Sequence, residues 1–249
     1  MYLKEKTMTQ SIDYDVLKKS GFLRQKQDGF FVLRTRMTAG VYKKKHLEKL
    51  SEISEKYGRG FVHATTRQGL EVPFIKLEDI VNVEKELEAA GICRGASGPR
   101  LRTTTSCPGN NWCKQGLVNT FALAARIEDE LGVRCAMDLP HKFKIAISGC
   151  PNACTRPQSS EIGIHGQLDL STPDKRAGFV VYLGGCGGRM PRDGFRINKV
   201  FSEDEVLSIT EKVVTFFKKN ASPRQRLAML IEEVGREKFL ENIFGQEKP

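Results

Sequence analysis

Length and composition exclude several classes of protein. With 249 residues, the chain is long enough to bury a sizeable core without disulfide bonds. Hydrophobic residues make up 39% and charged residues 28%, which is typical of soluble globular proteins and excludes a disordered chain. No apolar run approaches the roughly 18 residues of a spanning helix, and residues 1–10 lack the apolar stretch of a signal peptide. We therefore expect a cytoplasmic protein without membrane partners.

The net charge of +10 is unevenly distributed along the chain. Residues 1–60 contain 14 Lys plus Arg and 7 Asp plus Glu. A basic face attracts anions, whether a nucleic acid, a phosphate or carboxylate ligand, or an acidic protein. The alternative interpretation is a solvated basic surface without a specific partner.

The first part of the chain predicts most of a ferredoxin-like α+β unit. Residues 1–20 are polar, and we interpret them as a mobile arm or a short leading helix. The first strand alternates so that Arg34 and Arg36 share one face. The order β-α-β-β-α is that of most of a ferredoxin-like unit. The elements are a strand at 30–37, a helix that stops at Gly58, strands at 61–65 and 70–75, and a helix closed by Gly91.

The second part predicts further strands and helices beyond a boundary in the Gly- and Arg-rich stretch 91–100. Ser202 and Glu205 form the signature of a capping box before a helix. The remaining elements are a helix through 117–131 that begins at or just after Cys113, strands at 143–148, 161–166 and 179–184, and a final helical segment opened by Ser222-Pro223 and divided at Gly235.

Two pairs of cysteines are spaced like metal ligands. Cys107 and Cys113 show C-x5-C spacing, and Cys150 and Cys154 show C-x3-C spacing, each pair in a turn rich in Gly, Pro and Asn. Such turns bring sulfurs together and free backbone N–H groups to point at them. A cubane iron–sulfur cluster fits this spacing, because it is wider than a single ion. A helix beginning at Cys113 would place that thiolate at the positive end of the dipole.

Two alternatives for the cysteines stay open. The first alternative is a structural zinc site, but structural zinc pairs usually show C-x2-4-C spacing, which Cys107 and Cys113 exceed. The other alternative is that these cysteines are merely buried thiols. Cys93, Cys135 and Cys186 have no partner spacing, and we predict that they are packing residues.

These motifs resemble the siroheme and 4Fe–4S signature of the sulfite and nitrite reductase family. The similarity covers roughly residues 22–245 and corresponds to a small, single-repeat form. Besides the cysteine motifs, it includes the segments Leu33-Arg34-Thr35-Arg36, Thr65-Thr66-Arg67-Gln68, His141-Lys142-Phe143-Lys144, 183–185 and 233–239.

The resemblance implies a fold, cofactors and roles for single residues. The fold is α+β: after the arm at 1–20, a ferredoxin-like domain at 21–98 precedes an α/β siroheme and 4Fe–4S binding domain with C-terminal helices at 99–249. By this resemblance the cluster ligands are Cys107, Cys113, Cys150 and Cys154, and Cys154 also bridges the cluster to the siroheme iron. The resemblance assigns the substrate anion to Arg34, Arg102, Lys142 and Lys144. It assigns contacts with siroheme carboxylates to Arg36 and Arg67. His63 stands in the cofactor site where larger relatives have an arginine, so that contact is expected to be missing or water-mediated.

The basic residues have plain interpretations when taken alone. Lys142 and Lys144 are two apart on a predicted strand and would be solvated lysines on an exposed face. Arg34 and Arg36 would form a surface-facing strand edge. In a converging set, each cation about 4 Å from an anionic charge contributes roughly 4 kcal/mol at an effective dielectric near 20, before desolvation. Four such cations select an oxyanion. They also deliver protons, which for lysine requires a pKa lowered by burial or by like charges.

A single repeat has a consequence for assembly. Large members of the family carry two copies of the unit, with the substrate cations on one copy and the cluster on the other. One copy can rebuild that arrangement by two-fold self-association into a homodimer or higher homo-oligomer, each subunit lending its cations to its partner's siroheme.

The resulting functional hypothesis is a siroheme-dependent sulfite reductase that reduces sulfite to sulfide. Nitrite reduction to ammonia is the runner-up, and Lys144 favours sulfite because nitrite-type relatives often have Asn there. Other classes are a non-catalytic iron–sulfur electron-transfer protein and a basic nucleic-acid binder, for which the single Trp offers little stacking surface. No flavin signature or further cysteine motif is present, so we expect an external electron donor such as an acidic ferredoxin and no nucleic-acid partner.

Overall fold

The computed structural model describes residues 12–95, 97–130, 138–171 and 173–245. Residues 1–11 of the expected arm, Leu131 at the end of a predicted helix, and Cys135 lie outside the described residues. Among the residues described, no helix is both long enough and apolar enough to cross a membrane.

The first half forms an antiparallel sheet covered by helices, as the ferredoxin-like pattern predicts. The strand order is β1-β2-β4-β3, and β5 pairs with the end of β2. The side chains of Leu33, Ile53 and Leu87 are fully buried in its hydrophobic core. The elements are α1 (Tyr14–Lys19), β1 (Phe22–Arg24), β2 (Phe30–Arg36), α2 (Lys44–Tyr57), β3 (His63–Ala64), β4 (Leu70–Lys76), α3 (Ile80–Ala90) and β5 (Cys93–Arg94).

The second half is built on a mixed sheet with its own core. The strand order is β10-β9-β8-β7-β6; β6, β7 and β8 run parallel, and β9 and β10 are antiparallel to their neighbours. Leu123, Phe143 and Phe217 are fully buried between this sheet and the helices. The elements are β6 (Thr105–Ser106), α4 (Thr120–Glu130), β7 (Ile145–Ser148), β8 (Ile162–Leu168), β9 (Ala177–Leu183), β10 (Phe195–Arg196), α5 (Glu203–Asn220), α6 (Leu227–Val234) and α7 (Arg236–Phe244).

The predicted helix ends are partly confirmed. α3 stops at Gly91, whose φ of 69° is the left-handed conformation that glycine adopts readily. The capping box of α5 is formed by Ser202 Oγ, which accepts the Glu205 N–H, and by Glu205, which accepts the Ser202 N–H. Gly235 separates α6 from α7, as expected.

Other boundaries were predicted wrongly. The helix expected from Cys113 begins only at Thr120, because the Leu117 N–H donates to the Gly149 carbonyl and holds the preceding chain in turns. The last helical segment begins at Leu227 rather than at Ser222-Pro223. Arg224 has a φ of 67°, and its N–H donates to the Pro140 carbonyl instead of continuing a helix.

Two strands are also shorter than predicted. The strand expected at 61–65 contracts to β3, and the strand expected from Phe143 begins regular pairing only at Ile145.

Contacts of Gln68 and Arg36 help to fix the first half against the second. The side-chain amide of Gln68, in the turn between β3 and β4, donates to the Ser106 carbonyl at 2.6 Å and accepts the Ser106 N–H at 2.8 Å. Arg36 at the end of β2 forms an ion pair with Glu128 on α4 at 2.9 Å, with both side chains almost fully buried. The turn at residues 65–69 therefore lies directly over the strand that leads into Cys107.

Candidate functional site

The two cysteine loops begin at one edge of the second sheet. Cys107 follows β6 and Cys150 lies just beyond β7, and these two strands are parallel neighbours. The Cys107 N–H donates to the Ile147 carbonyl at 3.1 Å, which extends the pairing to the first cysteine. Because parallel strands end at the same edge, the sheet brings both loops together.

Glycines let the two cysteine loops pack backbone against backbone. A Cβ atom on Gly149 would lie 2.5 Å from the Cα of Gly109, and one on Gly116 would lie 2.2 Å from the carbonyl carbon of Gly109. No side chain fits at either place. The turn residues between the cysteines thus do more than bend the chain, since they hold one loop in contact with the other.

The four thiols have different surroundings. Cys150 is buried, Cys107 is partly buried, and Cys113 and Cys154 are exposed. The Gly149 N–H donates to the Cys107 sulfur at 3.0 Å, which is the kind of contact that stabilises a thiolate. Cys113 does not lie at a helix N-terminus, so the expected help from a helix dipole at this cysteine is wrong.

The exposure of the four thiols argues against the alternative that they are merely buried packing residues. Three of the four thiols are not fully buried, which does not fit plain packing residues. Among the described residues, no group of three or more His, Cys, Asp or Glu side chains is arranged to hold a metal ion, which does not distinguish zinc from a cluster. Of the other cysteines, Cys186 is buried as expected, whereas Cys93 is exposed at the sheet edge in β5, so its assignment to packing was wrong.

A cationic cavity of about 120 Å³ lies between the two halves of the chain. Arg67 crosses its floor, and its Nη2 donates to the carbonyls of Thr103 at 2.6 Å and Ile145 at 3.1 Å. The Arg67 Nε is buried and has no hydrogen-bond partner within the described part of the chain. The cavity is lined by Arg34, Thr35, Thr65, Thr66, Arg67, Gly69, Arg102 and Thr103.

The charges in this cavity repel one another. Burial lowers the pKa of Arg67 to about 10, and the charge of Arg102 acts in the same direction. Burial also lowers the pKa of Arg102, as do the charges of Arg34 and Arg226. Burial and mutual repulsion disfavour the charged form of these arginines, so an anion that enters the cavity stabilises them.

Glu71 partly offsets that repulsion. Its carboxylate accepts the Arg34 Nε–H at 2.7 Å and contacts His63 Nδ1 at 3.1 Å. His63 is exposed on β3 and does not line the cavity. Glu71 was not predicted from the sequence, because its partners lie on neighbouring strands rather than in its own motif.

Lys142 and Lys144 flank a buried aromatic ring at the other edge of the sheet. Phe143 is fully buried and packs on Phe217, so the two lysines project from the opposite side, both half-buried. Burial lowers the pKa of Lys144, and the charges of Arg67, Arg226 and Lys142 lower it further. Lys142 lies in a second cavity rather than in the one lined by Arg34 and Arg102.

A buried carboxylate at the centre of these cations was not found from the sequence. Glu161 is fully buried; its Oε1 accepts the Arg226 Nε–H at 2.6 Å and its Oε2 accepts the Lys144 N–H at 2.8 Å. Burial raises the pKa of Glu161, against the opposing effect of Arg226. The strand pattern at 161–166 marked this position as a strand start and gave no signal of the pairing.

Arg36 has a different environment from the other predicted cations. Its guanidinium is 2% exposed and pairs with Glu128, which also accepts the Thr38 hydroxyl at 2.9 Å. It does not line the cationic cavity. The structure therefore brings Arg34, Arg67 and Arg102 together, places Lys144 among their charges, and commits Arg36 to a contact between the two halves.

Comparison with known proteins agrees with this architecture. A family model described as "Nitrite/Sulfite reductase ferredoxin-like half domain" matches residues 23–90, and one described as "Nitrite and sulphite reductase 4Fe-4S domain" matches residues 97–249. Among solved structures, the NirA protein of Mycobacterium tuberculosis superposes with a TM-score of 0.79 at 21% identity, covering 91% of this chain and 45% of NirA. This confirms the predicted fold.

Curated relatives include sulfite reductases and nitrite reductases. A coenzyme F420-dependent sulfite reductase of Methanocaldococcus jannaschii is 32% identical, over 90% of this chain and 44% of its own length. A nitrite reductase [NAD(P)H] of Bacillus subtilis is 29% identical, over 84% of this chain and 24% of its own length. The chain thus spans less than half of each of these relatives. It is a member of the nitrite and sulphite reductase family, whose members are oxidoreductases.

Proposed function

We propose that this chain is a siroheme-dependent sulfite reductase that reduces sulfite to sulfide with six electrons from an external donor. The observation that carries the proposal is that one sheet bears a four-cysteine edge and a cationic cavity in which the Arg67 Nε has no partner among the described residues. The name of the M. jannaschii relative supports sulfite, and that of the B. subtilis relative keeps nitrite as the second candidate.

The residues present fit a 4Fe–4S cluster. Four thiols on two loops are the donor set that such clusters use, and the Gly149 N–H already points at the Cys107 sulfur. We assign Cys107, Cys113, Cys150 and Cys154 as ligands, with the exposed Cys154 as the one shared with siroheme. Bound together, the cluster and siroheme would supply electrons to the substrate at a metal centre.

The cationic cavity fits carboxylates or a small oxyanion. The Arg67 Nε has no hydrogen-bond partner among the described residues, and a siroheme carboxylate would provide the missing acceptor. Arg102 and Arg34 line the cavity wall, and Arg34 is also paired with Glu71. We retain Arg34, Arg102, Lys142 and Lys144 as the proposed substrate-binding set, although neither lysine lines this cavity. For Arg36 and His63 the structure offers no such support, since both lie outside the cavity.

Lys144 is the residue of this set best suited to deliver a proton. Its lowered pKa makes the ammonium group a stronger acid than a free lysine, and its backbone is held by Glu161. Reduction of sulfite to sulfide releases oxygens as water, and each needs protons. The same ammonium is the feature that favours sulfite over nitrite.

Two of the cations, Arg102 and Lys144, lie at the opposite end of β6 and β7 from the cysteine loops. Lys144 immediately precedes β7, and Cys150 lies beyond its other end. The five steps from Lys144 to Gly149 span roughly 17 Å at about 3.3 Å per residue. We propose that two chains associate about a two-fold axis, so that the cations of one protomer meet the cluster edge of its partner.

An absorption spectrum of anaerobically reconstituted protein tests the cofactor assignment. We expect siroheme bands together with iron and acid-labile sulfide, and sulfite-dependent oxidation of a reduced donor. A protein that holds iron and sulfide but no siroheme would be an electron-transfer protein, and the proposal would fail. Colourless protein after reconstitution would reject both cofactors.

Substrate preference is tested at one residue. Lys144→Asn should lower kcat/KM for sulfite at least tenfold more than for nitrite, because one full charge of the anion site is lost. Lys218→Asn, at an exposed lysine in the last turn of α5, is the matched control. Equal losses for both substrates in Lys144→Asn would remove the reason for preferring sulfite.

A further inference from the structure

A second cationic cavity, of about 220 Å³, lies next to the proposed substrate site. It shares no lining residue with the cavity of Arg34, Arg67 and Arg102. Its wall is formed mainly by a glycine-rich loop after β9 and by the start of α6. The lining residues are Lys142, Cys186, Gly187, Gly188, Arg189, Met190, Arg192, Arg224, Arg226 and Met229.

The positive charge of this cavity is only partly compensated. Arg192 pairs with Glu232 at 2.7 Å, and Arg226 is held by Glu161. Lys142, Arg189 and Arg224 have no carboxylate partner in the ranges that the structure describes. Three uncompensated cations around one small space attract an anion that carries more than one negative charge.

The glycine-rich loop adds hydrogen-bond donors to that charge. Cys186 and Arg192 exchange two backbone hydrogen bonds of 2.8 Å each and close the neck of the loop. Within the described chain, the backbone N–H groups of Gly187, Gly188 and Arg189 have no protein acceptor. A Cβ atom at Gly187 or Gly188 would meet nothing within 4 Å, so there is open space beside these donors. Free N–H groups on a glycine-rich loop are the usual cradle for phosphate and similar anions.

Arg226 is a nearly buried part of the wall of the second cavity. It is 8% exposed, its Nε side is occupied by Glu161, and its Nη1 donates to the Gly187 carbonyl at 3.3 Å. This guanidinium therefore ties the glycine-rich loop to the centre of the cation cluster.

We infer that the second cavity binds a small, doubly charged tetrahedral oxyanion, of the phosphate or sulfur-oxyanion type. The cavity volume is several times the roughly 30 Å³ that one water occupies, which leaves room for such an anion and its remaining waters. The Gly187–Arg189 donors bind the oxygens, and Arg189 and Arg224 balance the charge. This site goes beyond the proposed reaction, and Lys142 is the one residue that it shares with the proposed substrate-binding set.

Titration calorimetry on the purified full-length chain tests the site. Sodium phosphate and sodium sulfate are added at constant ionic strength, with chloride as the balancing anion. We expect saturable binding of one anion per chain and a higher melting temperature. The anion with the lower Kd identifies the chemical type, and either result supports the site.

Paired variants separate this site from the proposed substrate site. Arg189→Gln with Arg224→Gln should weaken the binding at least tenfold, whereas Lys218→Gln with Lys219→Gln, which removes two exposed charges from the end of α5, should leave it unchanged. Arg34→Gln with Arg102→Gln should also leave it unchanged. Absent saturable binding in the unmodified protein, or wild-type binding in the Arg189 and Arg224 variant, would overturn the inference.

Discussion

At the scale of single residues, the chemistry of the site depends on which charges burial forces together. Lys144 is half-buried beside Arg67 and Arg226, and its pKa falls below the ordinary value of 10.5. Glu161 acts in the opposite direction, and so keeps the lysine positively charged over part of the alkaline range. Because the ammonium attracts the substrate anion and the neutral amine does not, substrate binding must weaken as pH rises through the lowered pKa.

The lowered pKa of Lys144 leads to a prediction about the pH dependence of sulfite reduction. Lys144→Arg should move the alkaline limb of kcat/KM for sulfite to higher pH, because a guanidinium stays protonated throughout that range. The profile is measured from neutral pH to the alkaline limit of stability. Lys142→Arg is the matched control, since it makes the same change two residues away. A limb that stays in place in Lys144→Arg would show that another group controls it.

The carboxylates that pair with these cations could not be predicted from the sequence. Lys142 and Lys144 stand in a recognisable local motif, but Glu161 and Arg226 are 65 residues apart and meet only in the folded chain. The same holds for Arg34 and Glu71, which are separated by 37 residues on neighbouring strands. A motif gives residue types and spacing, whereas charge compensation depends on tertiary contacts that no local pattern encodes.

At the scale of elements, the cysteine loops could be predicted because their signals are local. Cysteine spacing with flanking Gly and Pro indicated two turns, and the structure places both at one sheet edge. The helix after Cys113 was placed too early because apolar periodicity begins at Leu117, while that residue's N–H is taken by the other loop. A long-range hydrogen bond thus overrode a helical pattern.

The contact between these loops gives a second prediction. In Gly149→Ala the added methyl would clash with Gly109, so the loops must separate, at a cost of about 1–3 kcal/mol in the free energy of unfolding. We expect the bound iron and labile sulfide to fall well below the wild-type content. Urea denaturation of the protein and iron assays after reconstitution measure the two effects.

The control for that substitution is Gly187→Ala, where a Cβ atom meets no neighbour. It should retain both stability and iron content. Full iron content in Gly149→Ala would contradict the role assigned to the backbone contact.

The link between β2 and α4 gives a third prediction. Glu128→Ala should lower the free energy of unfolding by roughly 3–5 kcal/mol, because Arg36 is left charged in a buried environment without its partner. The double variant Arg36→Met with Glu128→Leu should recover most of that loss. Chemical denaturation of both variants and of Arg36→Met alone completes the cycle. A double variant as unstable as Glu128→Ala would show that the loss comes from packing rather than from the unpaired charge.

At the scale of the whole molecule, the chain contains all of the proposed site residues but holds them in two places. Arg102 and Lys144 precede β6 and β7, and the cysteine loops follow these strands, so the length of the strands separates those two cations from the cysteines. The ferredoxin-like half cannot close this distance, because Gln68 and Arg36 fix it against β6 and α4. Two copies related by a two-fold axis would present the cations of each to the cysteine edge of the other.

Mixing two inactive variants tests this assembly directly. Arg34→Gln with Arg102→Gln removes cations, and Cys154→Ser removes the shared thiolate. If each site combines both protomers, a mixed dimer contains one site with both defects and one intact site. An equal mixture, dissociated and reassociated, should then recover about a quarter of wild-type sulfite reduction, since half of the dimers are mixed and half of their sites are intact. A mixture as inactive as its components, with exchange verified by a mass-tagged subunit, would show that each site lies within one chain.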